Sequence, residues 1–324
     1  MTCHAPQGLP LLAAMLLASQ AVAQQPLQSA GTGIIDPAAA EVLALEEEAN
    51  RRLTVPVHID GNGPYDFMID TGSQATAVTR EIHEGLRLRP AGTAMLVGMA
   101  SRRAVDLVEV TRLDIGSHTI TDLAAPVLDR ENIGADGIVG LDSLQDLRVM
   151  IDFRDRTIAL EDVRGKNARN RGFEIVVRAR EQLGQLLITD ALVEGIRATV
   201  IIDTGAQTSL ANNALRERIR TKRAAEVTTT DVNGVDLIGQ MSLMRSVTIE
   251  GLSLTNIPLT FADAPAFDAL GLSETPALSL GMQHLALFDR VAIDFANRRV
   301  LFDVPRDVAR AIRENRSKGY LRSF

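Results

Sequence analysis

The feature that most constrains this chain is that it is written twice. Tyr65-Asp66-Phe67-Met68-Ile69-Asp70-Thr71-Gly72-Ser73-Gln74 has a counterpart in Thr199-Val200-Ile201-Ile202-Asp203-Thr204-Gly205-Ala206-Gln207. Val149-Met150-Ile151-Asp152-Phe153 is echoed by Val291-Ala292-Ile293-Asp294-Phe295. The offset is 133 at the first pair of landmarks (203 − 70) and 142 at the second (294 − 152), so the copies differ by a modest insertion. Internal repetition of this kind implies one unit duplicated, its halves diverged.

Each unit reads as β-rich. Val55 to Asp60 alternates, Gly61-Asn62-Gly63 turns the chain, and Phe67-Met68-Ile69 returns it. In the second unit Leu186 to Val193 runs out, Glu194-Gly195 turns, and Ala198 to Ile202 comes back. Further hairpin pieces follow at Leu107 to Ile115 with His118 to Leu123, and at Leu243 to Ile249 with Leu252 to Leu259. Short strands with closely spaced turns predict an all-β, barrel-like or sandwich-like domain in each half. Aromatic residues are only 3% and Trp is absent, so Leu, Ile, Val and Ala must fill the cores.

Two helices are expected to flank these units. One starts with Asp36 as cap and Pro37 at its first position and runs to about Arg52; the other begins near Pro305 and carries Val308, Ala309 and Ile312. The polar run Arg164 to Gly172 reads as a solvated linker rather than a basic binding patch. The expected organisation is therefore residues 1–23 as a signal peptide, 24–52 as an extension with a helix, and 53–163 as a first lobe. A linker at 164–172, a second lobe at 173–304 and a helical tail at 305–324 complete it.

The first 23 residues contain no Asp, Glu, Lys or Arg; Leu9 to Leu17 is a short apolar run, and Ala21-Val22-Ala23 has the small-x-small form of a cleavage site. Export to the periplasm or medium is expected, with no stable membrane span in the remainder. Cys3 is the sole cysteine and leaves with that segment, which excludes disulfides and thiol chemistry from the mature chain. A net charge of −7 argues against nucleic acid as a partner. The five histidines are scattered without metal-ligand spacing, so no metal or other cofactor is expected.

The chemistry lies in the two Asp-Thr-Gly triplets. One alone is weak evidence, because Asp and Gly favour turns anyway. Two at matched positions of a repeat, each after an apolar strand, can bring Asp70 and Asp203 together. Paired carboxylates sharing one proton can hold a water: one takes its proton while the other donates to a carbonyl oxygen. Like charges in contact cannot both ionise comfortably, so such a pair titrates in two separated steps. Gly72 and Gly205 allow the tight turn that aims amides at the carboxylates. Thr71 and Thr204 have hydroxyls able to brace one loop against the other. Ser73 follows the first triplet and Ala206 the second. A hydroxyl beside a carboxylate favours its charged form, which predicts Asp70 as the ionised partner and Asp203 as the proton holder.

Together these residues resemble the retropepsin-like branch of aspartic proteases, here with two copies fused as in the two-lobed pepsins. Asp136-Gly137-Ile138-Val139-Gly140-Leu141-Asp142 resembles that family's second signature. Leu278-Ser279-Leu280-Gly281-Met282 is its weaker echo, with Ser279 departing from the apolar pattern. The resemblance covers about Leu53 to Val304. It implies two homologous acid-protease β-barrel lobes with a cleft between them, and a peptide or protein substrate bound as an extended strand. It also implies hairpin flaps, for which Val97, Gly98 and Met99 and the turn Asn233-Gly234 are the candidates. The pepsin flap tyrosine has no counterpart, since Tyr65 and Tyr320 are the only tyrosines.

An aspartic endopeptidase is the expected function, acting as a monomer because one chain supplies both triplets. A catalytically silent peptide-binding or scaffolding protein on the same fold is the alternative, disfavoured because both aspartates are kept in diverged halves. Asp152 and Asp294, also matched across the repeat, read as structural residues at strand starts. The acidic stretch at Glu46-Glu47-Glu48 offers no cation to the dyad, which favours a structural rather than an inhibitory role for residues 24–50.

Overall fold

The computed structural model describes residues 34–35, 54–162, 172–219 and 224–317. The expected signal peptide, the helix at Asp36 to Arg52 and most of the linker lie outside the described residues. A two-residue strand, β1 (Ile34–Ile35), precedes the first lobe. That lobe comprises β2 (Thr54–Ile59), β3 (Asn62–Ile69), β4 (Ala77–Thr79), β5 (Arg89–Val97), β6 (Arg102–Ile115), β7 (His118–Leu128) and β8 (Gly137–Val139). They form one sheet in the order β2-β3-β8-β4-β7-β6-β5, and β2 also pairs with β6, closing a barrel.

β9 (Leu147–Asp152) and β10 (Thr157–Asp162) end the first half. The second contains β11 (Ile175–Arg178), β12 (Arg180–Gln182), β13 (Gln185–Val193), β14 (Ile196–Ile202), β15 (Leu210–Ala211), β16 (Ala225–Thr230) and β17 (Asp236–Met244). β18 (Val247–Ile249), β19 (Leu252–Leu254), β20 (Ile257–Phe261), β21 (Ala277–Leu280), β22 (Arg290–Asp294) and β23 (Arg299–Asp303) follow. Its sheet runs β14-β21-β15-β20-β17, the same sequence of partners as β3-β8-β4-β7-β6. The duplicated sequence therefore gives duplicated topology, closed in the first lobe and open in the second.

The halves share a third sheet, in the order β10-β9-β22-β23-β11, with its first two strands from the first half and the rest from the second. β9 and β22 carry the second pair of sequence landmarks and run antiparallel, with Val149 opposite Ile293 and Ile151 opposite Val291. All four are fully buried, so one apolar cluster runs through both lobes and the shared sheet. The helix Arg306–Ser317 lays Val308, Ala309 and Ile312 into that cluster.

Several local expectations are corrected. The first turn is Asp60-Gly61, both at positive φ (49° and 79°), and Asn62 already belongs to β3. Glu194-Gly195 forms the matching turn in the second half, with φ of 51° and 81°. Such residue pairs suit two-residue hairpins because their twist matches that of the strands. The run Leu243 to Leu259 is four short strands rather than two, broken where the Ser246 amide donates to the Glu194 carboxylate (2.9 Å) and where Asn256 takes φ 56°. Asp152 and Asp294 end their strands instead of starting them. Each accepts amides of the following turn, Arg154 and Asp155 for the former and Asn297 for the latter.

Candidate active site

Each triplet follows directly on an apolar strand, β3 or β14, and a second strand crosses beside it. β8 runs parallel to β3, placing Met68 opposite Ile138, and β21 runs parallel to β14, placing Ile201 opposite Ser279. The crossing strands hold the loops by main-chain bonds. Asp70 N donates to Val139 O (3.0 Å) and Leu141 N to Ser73 O (2.9 Å); Asp203 N donates to Leu280 O (3.1 Å) and Met282 N to Ala206 O (2.9 Å). Gly140 and Gly281 permit this approach: a Cβ on either would collide with the main chain of the opposing loop.

A hydroxyl fixes each crossing point. Gly140 N donates to Thr76 Oγ1 (3.0 Å), which in turn donates to Asp142 Oδ1 (2.6 Å). In the second lobe Gly281 N donates to Ser209 Oγ (2.9 Å), and that oxygen lies 2.6 Å from Nδ1 of His284. Burial pushes the His284 imidazole down to about 4, so it is neutral above that pH.

The two loops meet through their threonines. Thr71 Oγ1 donates to Ile202 O and Thr204 Oγ1 to Ile69 O, both at 2.7 Å. The same hydroxyls accept from the opposite amides, Thr71 N to Thr204 Oγ1 at 3.0 Å and Thr204 N to Thr71 Oγ1 at 3.2 Å. Four buried backbone groups are thus satisfied by two side chains across the junction. Gln185 adds a further tie from β13, donating to Gly72 O at 2.8 Å.

This brace sets the carboxylates. Asp70 Oδ1 accepts from the amides of Gly72 (2.8 Å) and Ser73 (3.1 Å); Asp203 Oδ1 accepts from Gly205 (3.1 Å) and Ala206 (3.0 Å). Each carboxylate lies against the other loop's glycine: a Cβ on Gly72 would stand 2.7 Å from Asp203 Oδ1, and one on Gly205 would collide with the Asp70 carboxyl group. Both aspartates are 8% exposed. Burial raises the Asp203 carboxyl above the ordinary range, opposed by the Ser279 hydroxyl and the amides of Ala206 and Gly205.

Ser73 does not act as its position suggests. Its hydroxyl donates to Ala75 O (2.9 Å), and only its amide reaches Asp70. The hydroxyl that meets a dyad carboxylate is Ser279, whose Oγ lies 2.9 Å from Asp203 Oδ2. The basis for assigning the charge to Asp70 is therefore removed. A polar residue inside the buried run Ala277–Leu280 was the available sequence signal.

The two flap candidates are the tips of long hairpins, β5–β6 and β16–β17, and they touch each other. Asp231, buried beside Asn233, accepts from the Ala100 amide (3.1 Å) and the Ser101 hydroxyl (2.7 Å) of the first tip. Asn233 Nδ2 donates to Ser101 Oγ at 2.8 Å, and Arg102 forms an ion pair with Asp268 of the second lobe. The apolar contacts cross as well. Met99 packs on the second-lobe cluster containing Ile201 and Leu210, and Val232 on the first-lobe cluster containing Met68 and Ile138. Gly98 leaves room for the Asp231 carboxylate, while Val97 and Gly234 end the strand and close the turn, the latter at φ 74°.

Two β lobes, each delivering an Asp-Thr-Gly loop to a common pseudo-twofold junction, define the fused retropepsin-like class. A family profile described as aspartyl protease matches residues 55–143 and 189–284, one segment per lobe and together over half of the chain. The chain belongs to the aspartyl protease family. Among solved structures, a retropepsin-like aspartic protease from Rickettsia conorii is 20% identical, covering 40% of this chain and 88% of that one with a TM-score of 0.29. Comparison with curated proteins returns no match.

Proposed function

We propose that the protein is an aspartic endopeptidase that hydrolyses peptide bonds with a water held between Asp70 and Asp203. The observation that carries this reading is the reciprocal threonine brace, which fixes two buried carboxylates against each other's glycine. Hydrolysis needs one carboxyl protonated and one ionised. Crowding of like charges keeps a proton on the pair, and burial raises Asp203 in the same sense. The singly protonated dyad supplies both roles: the ionised member takes a proton from water as the protonated member donates to the scissile carbonyl.

In this reading the substrate lies extended between the lobes, beneath the tips at 97–101 and 231–235, and apolar side chains replace Met99 and Val232 on the clusters they cover. One chain supplies the whole dyad, so the working form is a monomer, and the N-terminal 23 residues direct its export. The test is cleavage of a library of internally quenched peptides by the purified chain between pH 2.5 and 7. Cleavage lost in both Asp70→Asn and Asp203→Asn supports the reading. No cleavage by the wild-type chain, with peptide binding unchanged in both variants, replaces it with a catalytically silent peptide binder.

A further inference from the structure

One hydroxyl breaks the pseudo-symmetry of the dyad. Asp70 and Asp203 each receive two amides on Oδ1 from the residues two and three places ahead. The crossing strands occupy equivalent registers, yet the first presents Ile138 where the second presents Ser279. Ser279 is 3% exposed, between Leu278 and Leu280 in a wholly buried strand. A hydroxyl in such a place is tolerated only with a partner. Its Oγ lies 2.9 Å from Oδ2 of Asp203, so that carboxylate has donors on both oxygens.

We propose that Ser279 is a positioning residue of the dyad: by donating to Oδ2 it stabilises ionised Asp203 and sets the acid limit of activity. The inference rests on the endopeptidase reading for its kinetic consequence and on the geometry alone for its titration. A hydroxyl donated to a carboxylate favours the charged form, so it opposes the burial that works against charge at Asp203. The singly ionised, reactive state of the dyad then appears at a lower pH than with an apolar residue at 279.

Other charged groups on the surrounding elements are few. Asp70 faces Asp203 from the other loop, and His284 lies on the helix after β21 beyond Ser209. Asp231 lies at the hairpin tip neighbouring Met99, whose cluster contains Ile201 opposite Ser279. Arg197 lies at the far end of β14, paired with Asp190. All five are unchanged when only residue 279 is altered, so differences between variants report on the hydroxyl.

The experiment compares wild type, Ser279→Ala, Ser279→Thr and Ser279→Ile in two ways. One is the pH profile of kcat/KM on a cleaved peptide. The other is the carboxyl titration of Asp203 in 13C-aspartate-labelled protein, its resonance identified by loss in Asp203→Asn. The expected result is an acid limb and an Asp203 titration moved upward by on the order of one pH unit in the Ala and Ile variants, with Thr restoring both. Coincident titrations in wild type and Ser279→Ala overturn the inference, as does a loss of activity uniform in pH. If no variant cleaves peptide, the endopeptidase reading fails, and the 13C titration still decides the role of Ser279.

Discussion

Arg148 of the first lobe and Asp294 of the second form an ion pair of 2.6 Å inside the shared sheet, directly opposite each other on β9 and β22. The arginine side chain is 4% exposed and the aspartate 0%, and Asn297 donates to the same carboxylate. Such a pair costs desolvation but is costly to break on one side only. Arg148→Met or Asp294→Ala is expected to destabilise the chain by about 3–5 kcal/mol, and the double replacement by clearly less than the sum. Denaturant melts of the four proteins check this.

The threonine brace predicts losses in both stability and rate. Thr71→Val leaves the Ile202 carbonyl and the Thr204 amide without their buried partner. About 1–3 kcal/mol per orphaned group is expected, with the serine variant retaining the bonds. Gly205→Ala tests the same junction from the other side, because its methyl would collide with the Asp70 carboxyl. A fall of about 100-fold or more in kcat/KM is expected from displacement on the ångström scale.

Asp203→Asn should remove activity and yet raise stability at neutral pH. Burial raises the folded-state pKa of Asp203 above its unfolded value, so ionising it disfavours the fold. The stability this group contributes is complete below the unfolded pKa near 3.8 and declines as pH rises towards the folded one. Asparagine escapes that decline. Its melting temperature should exceed that of wild type at pH 7, by about 2–4 °C per kcal/mol, and the gap should close on acidification.

His284 acts in the opposite direction. Its pKa falls from 6.5 unfolded to about 4 folded, so above 6.5 both states are neutral and no penalty exists. Between 6.5 and 4 the unfolded chain binds a proton that the folded chain refuses, and stability falls with pH. The full loss is about 3 kcal/mol. His284→Gln should flatten the stability profile in that window, as read by melts at successive pH values.

Asp231 ties the hairpin tips through Ala100 and Ser101, so Asp231→Ala should free the first tip. Faster hydrogen exchange at residues 98–101, with little change in global melting temperature, is the expected outcome. Equal exchange in variant and wild type would show that Met99 packing, the Asn233–Ser101 bond and the Arg102–Asp268 pair hold the tip without Asp231.

The repeat, the strand-to-loop transitions and the dyad were legible because their determinants are local: an apolar strand, an aspartate, a threonine and a glycine recur in order. Ser279, Gln185 and Asp231 were not, since their partners lie 76, 113 and 130 or 131 residues away and are chosen by strand register. Ser73 departs from expectation for a local reason instead. Adjacency placed its hydroxyl beside Asp70, whereas the turn directs it to the Ala75 carbonyl. The hairpin partition around Ser246 depended on a distant acceptor, Glu194.

The five-stranded sheet that both halves build has a consequence for inheritance. In an enzyme assembled from two identical subunits, every substitution appears at both positions around the axis, and no residue can serve one carboxylate alone. Once the halves share a chain and a sheet, a single codon alters a single side. Ile138 and Ser279, or Ser143 and His284, can then drift apart, so covalent linkage lets the surroundings of the two carboxylates be tuned separately.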